Sequence, residues 1–234
     1  MIDVHSHILF DIDDGAREIE ESIFMLKESQ NAGFTDVILT PHYMEGVYAQ
    51  NKEEVINRFK KLKEEIKDQG LEINIYLGNE VYVTPNINEK ILTKEVLTLN
   101  NSKYVLIETH LTTNILYLEH EIDKMLEAGF KPILAHPERY EFVKKDIKNL
   151  DKFINKGVLL QSNYGSIVGF YGKTAEKTVR KLLKTKAITF LASDTHFVNT
   201  IYAAMPDIKR KLQSVISDEY FYDITEYNAR EIIN

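Results

Sequence analysis

Cysteine is absent from the sequence, and this absence excludes several kinds of chemistry at once. Without thiols the chain forms no disulfides, builds no thiolate zinc site and has no cysteine nucleophile. Any metal ion must therefore be held by His, Asp and Glu side chains. Such nitrogen and oxygen ligands suit Mn, Fe, Zn or Mg better than copper(I) or iron–sulfur clusters.

Long apolar runs and an excess of positive charge are also missing. No stretch reaches the roughly 18 consecutive apolar residues of a membrane span, and the N-terminus lacks the basic and apolar regions of a signal peptide. The sequence thus predicts a cytoplasmic protein with no membrane span. A formal net charge of −7 gives no general attraction to phosphate backbones, so nucleic acid is a disfavoured partner.

Strand-length apolar runs alternate with helical patterns along the whole chain. The 234 residues, 44% hydrophobic and 28% charged, contain no Pro-, Gly- or Ser-rich linker, so residues 1–234 are expected to form one domain. Strands are predicted at residues 2–7, 36–40, 73–77, 104–107, 132–135, 158–161 and 188–192, with helical periodicity at residues 19–26, 55–66, 118–125 and 179–183. Short strands that are apolar on both faces indicate a parallel sheet covered by helices, either a barrel or a doubly wound sheet.

Two segments echo each other and support a recurring helix-to-strand connection. In "NAGFTDVILTPH" and "EAGFKPILAHPE" a helix is expected to stop at a glycine, Gly33 or Gly129, before a buried strand. Each strand is then followed by a histidine, His42 or His136.

The opening residues "MIDVHSH" place two imidazoles two positions apart. Strand alternation puts Ile2 and Val4 on one face and Asp3, His5 and His7 on the other. Two imidazoles on one face can bind one metal ion, although two hydrogen-bonded histidines at a strand edge would give the same pattern.

Side chains that commonly bind metals stand at the carboxyl ends of six of the seven predicted strands. In a parallel barrel those ends converge on one mouth. Singly, each has a plainer interpretation, such as a capped histidine, a surface carboxylate or a helix N-cap. Eight such groups in one cleft are costly unless cations compensate them, and their number argues for two or three ions. The candidate metal ligands are His5, His7, His42, Glu80, Glu108, His136, Asp194 and His196.

Two further histidines and one glycine-rich segment are interpreted differently. His110 follows the Glu108 strand and can approach the mouth, whereas His120 lies within a helical pattern and is expected at the surface. The segment "GFYGKT" is not a P-loop, because Ile167 stands where that motif requires glycine, and it is expected to end at a helix start. The aromatic residues of "NYGSIVGFYG" are either pocket walls or packing contacts; they are Tyr164, Phe170 and Tyr171.

The segments "DVHSHILFDIDDGA", "LTPHY", "GNEVYV", "AHPERY" and "ASDTH" resemble the polymerase and histidinol phosphatase (PHP) superfamily, and most closely its bacterial manganese-dependent tyrosine phosphatases of the CpsB/CapC type. The resemblance covers nearly the whole chain. It implies a distorted TIM-like (β/α)7 barrel, a three-metal site and the same eight ligands. Manganese is the expected metal, with Fe, Zn or Mg as alternatives. The implied role is removal of phosphate from the tyrosine-rich tail of a partner autokinase of the polysaccharide co-polymerase type, in capsule and exopolysaccharide synthesis.

The resemblance adds Asp14 and Arg139 as active-site positions. A metal-bound water loses its proton more readily, so a hydroxide can attack phosphorus in line while the ions neutralise the phosphoryl oxygens. Arg139 can offer a bidentate fork to phosphate, or else form a surface salt bridge with Glu138 or Glu141. Asp14 is expected to orient water or a ligand histidine, or to protonate the leaving oxygen. Glu108 is expected to bridge two ions.

One segment departs from the family pattern. Where relatives commonly carry a second arginine after "SDTH", this chain has Asn199, Thr200 and Ile201.

Two other functions stay open at this stage. One is another PHP phosphoesterase, acting on a small phosphate such as histidinol phosphate or on a phosphodiester. The other is a silent metal-binding scaffold.

Overall fold

Parallel strands form the framework of the fold. The computed structural model describes residues 1–112 and 115–234. In that part of the chain the strands are β1 (Ile2–Asp3), β2 (Asp36–Leu39), β3 (His42–Tyr43), β4 (Asn74–Leu77), β5 (Glu80–Tyr82), β6 (Tyr104–Glu108), β7 (Lys131–Ala135), β8 (Leu159–Asn163) and β9 (Phe190–Ala192). All seven predicted strands are present. The second and third are interrupted and resume as β3 and β5, which the sequence analysis did not predict.

The two interruptions lie side by side. Pro41 has no backbone N–H to donate to a ladder, and it separates β2 from β3. Asn79 separates β4 from β5, and its Nδ2 donates to the Pro41 carbonyl at 3.0 Å while its Oδ1 accepts from Leu97 N at 2.9 Å. The Asn79 side chain thus replaces the missing ladder hydrogen bonds.

The strands are ordered around a ring. β1 pairs with β2 and β2 with β4, and past the interruptions the order continues as β3, β5, β6, β7, β8 and β9, every pair being parallel. A parallel bridge between Ser6 and Thr195 brings the chain after β9 beside the chain after β1. There Asp194 N donates to His5 O at 2.9 Å and His7 N donates to Thr195 O at 3.0 Å. Seven strand units therefore form a distorted (β/α)7 barrel, which confirms the predicted fold class.

Helices cover the outside of the ring. They are α1 (Ile19–Asn31), α2 (Lys52–Asp68), α3 (Ile87–Leu92), α4 (Ile115–Glu127), α5 (Glu141–Lys145), α6 (Asp151–Ile154), α7 (Lys173–Lys184), α8 (Met205–Gln213), α9 (Asp218–Tyr222) and α10 (Arg230–Ile233). The four predicted helical segments lie in α1, α2, α4 and α7. Among the helices described, none combines the length and the apolar character needed to cross a membrane.

Two glycines end helices as predicted. Gly33 and Gly129 have φ values of 92° and 84°, a backbone conformation that favours glycine. After each of them a phenylalanine N–H bonds back into the helix, Phe34 to Ser29 O at 3.1 Å and Phe130 to Met125 O at 3.0 Å. The same cap therefore introduces β2 and β7.

Apolar side chains form two layers. The larger layer lies between the strands and the helices. The smaller layer fills the barrel interior, and α10 closes it at the amino ends of the strands. Its buried members are Ile2, Val4, Ile38, Leu99, Tyr104, Leu106, Ile133, Ala135, Phe190, Ala192, Ala229 and Ile232. The polar residues of interest lie at the opposite end of the barrel.

Candidate metal centre

The eight predicted ligand residues lie together at the carboxyl ends of the strands. They are His5 and His7 after β1, His42 in β3, Glu80 in β5, Glu108 at the end of β6, His136 after β7, and Asp194 and His196 after β9. Six of them line a cavity of about 360 Å³, which we call the polar cavity. The other two, His5 and His7, are fully buried beneath it.

Glu80 is at the centre of the cluster. Its Oε1 lies 2.9 Å from His136 Nε2. Its Oε2 lies 3.2 Å from His5 Nε2 and 3.3 Å from His7 Nε2. The same oxygen lies 3.0 Å from His42 Nδ1. Although Glu80 Oε2 is buried, it has no hydrogen-bond partner among the residues that the structure describes. A bound cation would satisfy this oxygen and the nitrogens around it, so the residues present fit a metal ion.

Three overlapping sets of side chains each offer ligand atoms within 4.8 Å of one another. The sets are His5, His7, Glu80 and Asp194; His42, Glu80 and Glu108; and His7, Asp14, His42 and His196. Each set mixes imidazole nitrogen with carboxylate oxygen, which suits Mn, Fe or Zn. Three sets agree with the expected two or three ions, and the assignment of each ligand stays a prediction.

Glu80 is the carboxylate shared between two of these sets, whereas Glu108 belongs to one. The Glu108 oxygens do face different rings, with Oε1 3.0 Å from His42 Nδ1 and Oε2 3.7 Å from His136 Nε2. Glu80 is therefore shared between two ligand sets, and the bridging role expected of Glu108 stays a prediction.

The charge on Glu80 is stabilised by the imidazoles around it. Burial alone would raise the pKa of this carboxyl. The positive charge of His5, the hydrogen bond with His136 and the close approach of His42 outweigh burial and hold the pKa of Glu80 well below its usual range. Glu80 is therefore ionised and available as a ligand.

The histidines at the rim differ in protonation. Burial and the nearby charge of His7 would lower the pKa of His42, but the close contacts with the carboxylates of Glu108 and Glu80 raise it to about 10. Burial and His7 instead lower the pKa of His196 to about 4. Protonated imidazoles thus compensate the carboxylates in the metal-free protein, and metal binding would release those protons.

Asp13, which the sequence analysis did not single out, supports the cluster from outside. Its Oδ2 lies 2.7 Å from His7 Nδ1 and accepts from His42 N at 2.9 Å, while its Oδ1 accepts from Gly15 N at 2.9 Å. Burial alone would raise the pKa of Asp13, but the charge of His7 and these hydrogen bonds lower it to about 2. Asp13, and not Asp14, therefore contacts the ring of His7, a predicted ligand, and the role of Asp14 stays a prediction.

Asp14 lies at the rim of the polar cavity, and its side chain is about half exposed. Its Oδ1 is 3.6 Å from both His42 Nε2 and His196 Nε2. The loop that carries it passes very close to the chain after β1, since a Cβ on Gly15 would lie 2.0 Å from His7 O. Only glycine fits there, and this close approach fixes Asp14 above the cluster.

β8 supplies no predicted ligand but supports two of them. Gln161 Oε1 lies 2.8 Å from His5 Nδ1, and Gln161 Nε2 donates to Asn163 Oδ1 at 2.9 Å. Asn163 Nδ2 donates in turn to Asp194 Oδ2 at 2.5 Å. The signal for this chain of contacts is the pair of amides at alternate positions of a buried strand.

Arg139 lies between the cluster and an aromatic ring. Its Nη1 donates to Asp194 Oδ2 at 3.2 Å, and its guanidinium lies 4.7 Å from the centre of the Tyr171 ring. Burial would lower the pKa of Arg139, but Asp194 raises it, so the charge is secure. The alternative prediction for Arg139 is a surface salt bridge with Glu138 or Glu141. Among the described residues Arg139 instead pairs with Asp194, while Glu138 is fully buried and Glu141 pairs with a lysine.

Two cluster residues have left-handed backbone conformations. His136 has a φ of 36° and Asp194 a φ of 50°. For a residue other than glycine this costs about 1–2 kcal/mol. The turns that follow β7 and β9 therefore hold these side chains in place at the expense of stability.

Asp3 does not join the cluster, although strand alternation placed it on the face of His5 and His7. Its Oδ2 accepts from Tyr202 OH at 2.8 Å and its Oδ1 from Ser193 N at 3.0 Å. The reason is that β1 ends at Asp3, so the alternation does not continue to His5.

The two remaining histidines are exposed. His110 lines the polar cavity, and its Nδ1 lies 2.9 Å from Thr112 Oγ1. His120 is exposed on α4, as predicted.

The aromatic loop after β8 divides between two roles. Tyr164 is a packing residue, fully buried with its ring 5.8 Å from that of Phe34. Phe170 and Tyr171 instead line a second cavity beside the polar cavity. Gly172 directly precedes α7, so "GFYGKT" ends at a helix start as predicted.

Comparison with known proteins follows the same lines. The family model for capsular polysaccharide synthesis, CpsB/CapC, matches residues 1–234. The tyrosine-protein phosphatase CpsB of Streptococcus pneumoniae is 32% identical over 242 residues, which cover 100% of this chain and 98% of that protein. The putative tyrosine-protein phosphatase CapC of Staphylococcus aureus is 34% identical over 198 residues, 85% of this chain and 78% of that protein.

Solved structures show the same relationship. A chain from the crystal structures of YwqE from Bacillus subtilis and CpsB from Streptococcus pneumoniae, described there as metal-dependent tyrosine phosphatases, matches with a TM-score of 0.92 and 28% identity. The match covers 100% of this chain and 94% of that one. Histidinol phosphate phosphatase from Lactococcus lactis, at 14% identity and a TM-score of 0.54 over 92% of this chain and 93% of that one, shares the fold.

Proposed function

This chain belongs to the CpsB/CapC family of capsular polysaccharide synthesis, and from that premise we propose that it is a metal-dependent protein-tyrosine phosphatase. The observation that carries the proposal is the buried Glu80 Oε2, which faces ring nitrogens of His5, His7 and His42 without a hydrogen bond from the described residues. Arg139 lies beside this cluster and lines the same cavity. Cations and a guanidinium around one cavity suit a phosphoryl group.

We assign the eight clustered residues as the metal ligands, with manganese the expected metal and Fe, Zn or Mg as alternatives. Bound ions would supply a water nucleophile of lowered pKa and neutralise the phosphoryl oxygens. Asp13 and Gln161 would keep the rings of His7 and His5 aimed at the ions. Asn163 would do the same for Asp194.

Arg139 and Asp14 act on the substrate in this proposal. Arg139 binds phosphoryl oxygens with two parallel N–H groups, a geometry that lysine cannot reproduce. In hydrolysis a bond forms between a water oxygen and phosphorus, the ester P–O bond breaks, and a proton passes to the leaving phenolate oxygen. Asp14 is placed at the rim to hold that proton or to join the third ligand set.

The partner and the setting extend the proposal. The family serves capsular polysaccharide synthesis, and relatives are named tyrosine-protein phosphatases. We therefore propose that the substrate is a tyrosine-phosphorylated autokinase of that system and that the protein acts in the cytoplasm. We also propose a single domain over residues 1–234, because the chain past β1 adjoins the chain past β9 and α10 closes the interior.

A substrate screen tests the proposal. Purified protein is stripped of metal, reloaded separately with Mn²⁺, Fe²⁺, Zn²⁺ or Mg²⁺, and assayed with a phosphotyrosine peptide, a phosphoserine peptide, histidinol phosphate and a phosphodiester. We expect turnover of the phosphotyrosine peptide above all others, dependent on metal. The matched variants are Glu80→Gln, expected to lose metal and activity, and Glu64→Gln on the exposed face of α2, expected to keep both.

The same screen distinguishes the other functions. If the protein hydrolyses histidinol phosphate or the phosphodiester faster than the phosphotyrosine peptide, it is another phosphoesterase of this fold and not a tyrosine phosphatase. Metal binding without turnover of any ester would indicate a silent scaffold.

A further inference from the structure

A second cavity, of about 370 Å³, adjoins the polar cavity. We call it the aromatic side cavity. Its lining is Arg139, Phe170, Tyr171, Asp194, Thr195, His196, Phe197, Thr200 and Ile201. Arg139, Asp194 and His196 line both cavities, so the two spaces meet at these residues. A ligand held by Arg139 can therefore extend from one cavity into the other.

The far wall of the aromatic side cavity is apolar. Phe170 is 53% exposed and Phe197 is 55% exposed, which is uncommon for side chains of this size. Ile201 is buried and lines the cavity beside them. Exposed rings beside an apolar surface suit a flat apolar ligand group.

The part of the wall that carries Phe170, the loop after β8, is held in position by Glu138. Its fully buried Oε1 accepts from Ser166 Oγ at 2.5 Å and from Asn163 N at 3.0 Å, which ties the loop after β8 to the turn that carries Arg139. Gly165 in this loop is tightly packed, since a Cβ there would lie 2.8 Å from Ile201 and 3.1 Å from Phe170. The backbone of the loop that carries Phe170 is therefore positioned relative to Arg139 before any ligand binds.

We propose that the aromatic side cavity receives the phenyl ring of an aryl phosphate, which makes Phe170 and Phe197 specificity-determining residues. The inference rests on the proposed phosphatase function. A phosphoryl group bound by Arg139 has its ester bond near the boundary between the two cavities, because Arg139 lines both of them. An aryl group then lies against Phe170 and Phe197, whereas a short alkyl group does not reach them.

Kinetics with paired substrates test the proposal. Phe170→Ala, Phe197→Ala and the double variant are compared with the parent on phenyl phosphate and on ethyl phosphate, each with reloaded metal. For the double variant we expect kcat/KM on phenyl phosphate to fall about tenfold or more, and on ethyl phosphate to change by less than about threefold. Phe24→Ala is the matched control, because Phe24 is a half-exposed phenylalanine on α1.

Binding gives an independent measurement. The sequence contains no tryptophan, so Phe170→Trp introduces a single fluorescent reporter at the wall. Phenylphosphonate should change its emission in a saturable way, and methylphosphonate should not. An equal response to both probes, or none to phenylphosphonate, would contradict the proposal.

The outcomes separate this inference from the proposed function. A parent protein that is inert on every ester would remove the phosphatase function itself. An active parent whose Phe170 and Phe197 variants lose both substrates equally, or neither, would overturn only the inference. An aryl-selective loss in Met44→Ala, on the opposite wall of the polar cavity, would place the ring there instead.

Discussion

The interior of the barrel and its mouth are built from the same strands, yet they have opposite chemistry. In β6, Leu106 packs in the apolar interior and Glu108, two residues later, lies in the ligand cluster. After β9, Ala192 and Asp194 show the same change. Since the change takes two residues, these strands contribute to stability within the barrel and supply candidate ligands at its mouth.

The two regions also differ in backbone conformation. The interior residues of β7 lie in a regular parallel ladder, whereas His136 directly after it is left-handed. Packing in the interior therefore stabilises the fold, whereas the left-handed residues at the mouth reduce its stability while they position the predicted ligands. Substitutions in one region should accordingly affect stability, and substitutions in the other should affect chemistry.

Metal removal is the largest test of this separation. Exhaustive chelation should reduce aryl phosphate hydrolysis to background, because the proposed nucleophile depends on the ions. The barrel should stay folded by circular dichroism, since its apolar interior contains no ligand residue. Elemental analysis checks the chelation, and added Mn²⁺ should restore activity. Full turnover in protein shown to be metal-free would contradict the proposed mechanism.

A cavity in the interior should have the reverse effect. Leu106→Ala removes a fully buried side chain and should lower the free energy of unfolding by about 2–5 kcal/mol, measured by denaturant titration. Metal content per folded molecule should stay unchanged. The control is Leu92→Ala, at a leucine that is 59% exposed, with an expected change within about 0.5 kcal/mol. Loss of metal in Leu106→Ala would show that the two regions are coupled.

Loss of the guanidinium at the mouth should reduce rate with little change in stability. Arg139→Ala should lower kcat/KM on a phosphotyrosine peptide roughly a hundredfold, and Arg139→Lys should recover only part of this. Arg210→Ala, at an exposed arginine of α8, is the control. If kcat/KM of Arg139→Ala stays within about threefold of the parent, phosphate recognition belongs to the metal ions alone.

The smallest effect is expected at Asp13, whose carboxylate contacts the ring of the proposed ligand His7. Asp13→Asn keeps the shape of the side chain but weakens the contact with His7, and it should reduce metal affinity or activity about tenfold. The expected signature is partial rescue at high metal concentration. Asp11→Asn, on an exposed aspartate two residues away, should behave like the parent. An equal loss in both variants would show that the loop, and not the contact, matters.

The sequence pattern predicted a parallel β/α fold and the cluster because both follow from short-range patterns, whereas the choice of a barrel over a doubly wound sheet rested on the family resemblance. A histidine or carboxylate directly after a buried strand must lie at the mouth, whichever strands turn out to be neighbours. This rule located Glu108 after Ile107 and His136 after Ala135. It also located Glu80, although the structure begins a new strand there.

The supporting contacts were not predictable in the same way. Asp13 reaches His7 only because the loop folds back over Gly15, and Gln161 reaches His5 only because the ring closes. Both depend on pairings between distant segments. Asp14 was favoured over its neighbour on resemblance alone, and the direction of each side chain in that loop is set by packing.

Closure of the ring joins the two ends of the ligand sequence, and this has a consequence during synthesis of the chain. The set of His5, His7 and Glu80 is completed by Asp194, which leaves the ribosome roughly 10–40 s after His5 at ordinary translation rates. A nascent chain therefore has no complete site of this kind, whatever ions surround it. In the proposed function, a metal ion would therefore be bound by this set only after Asp194 has been synthesised and the ring has closed.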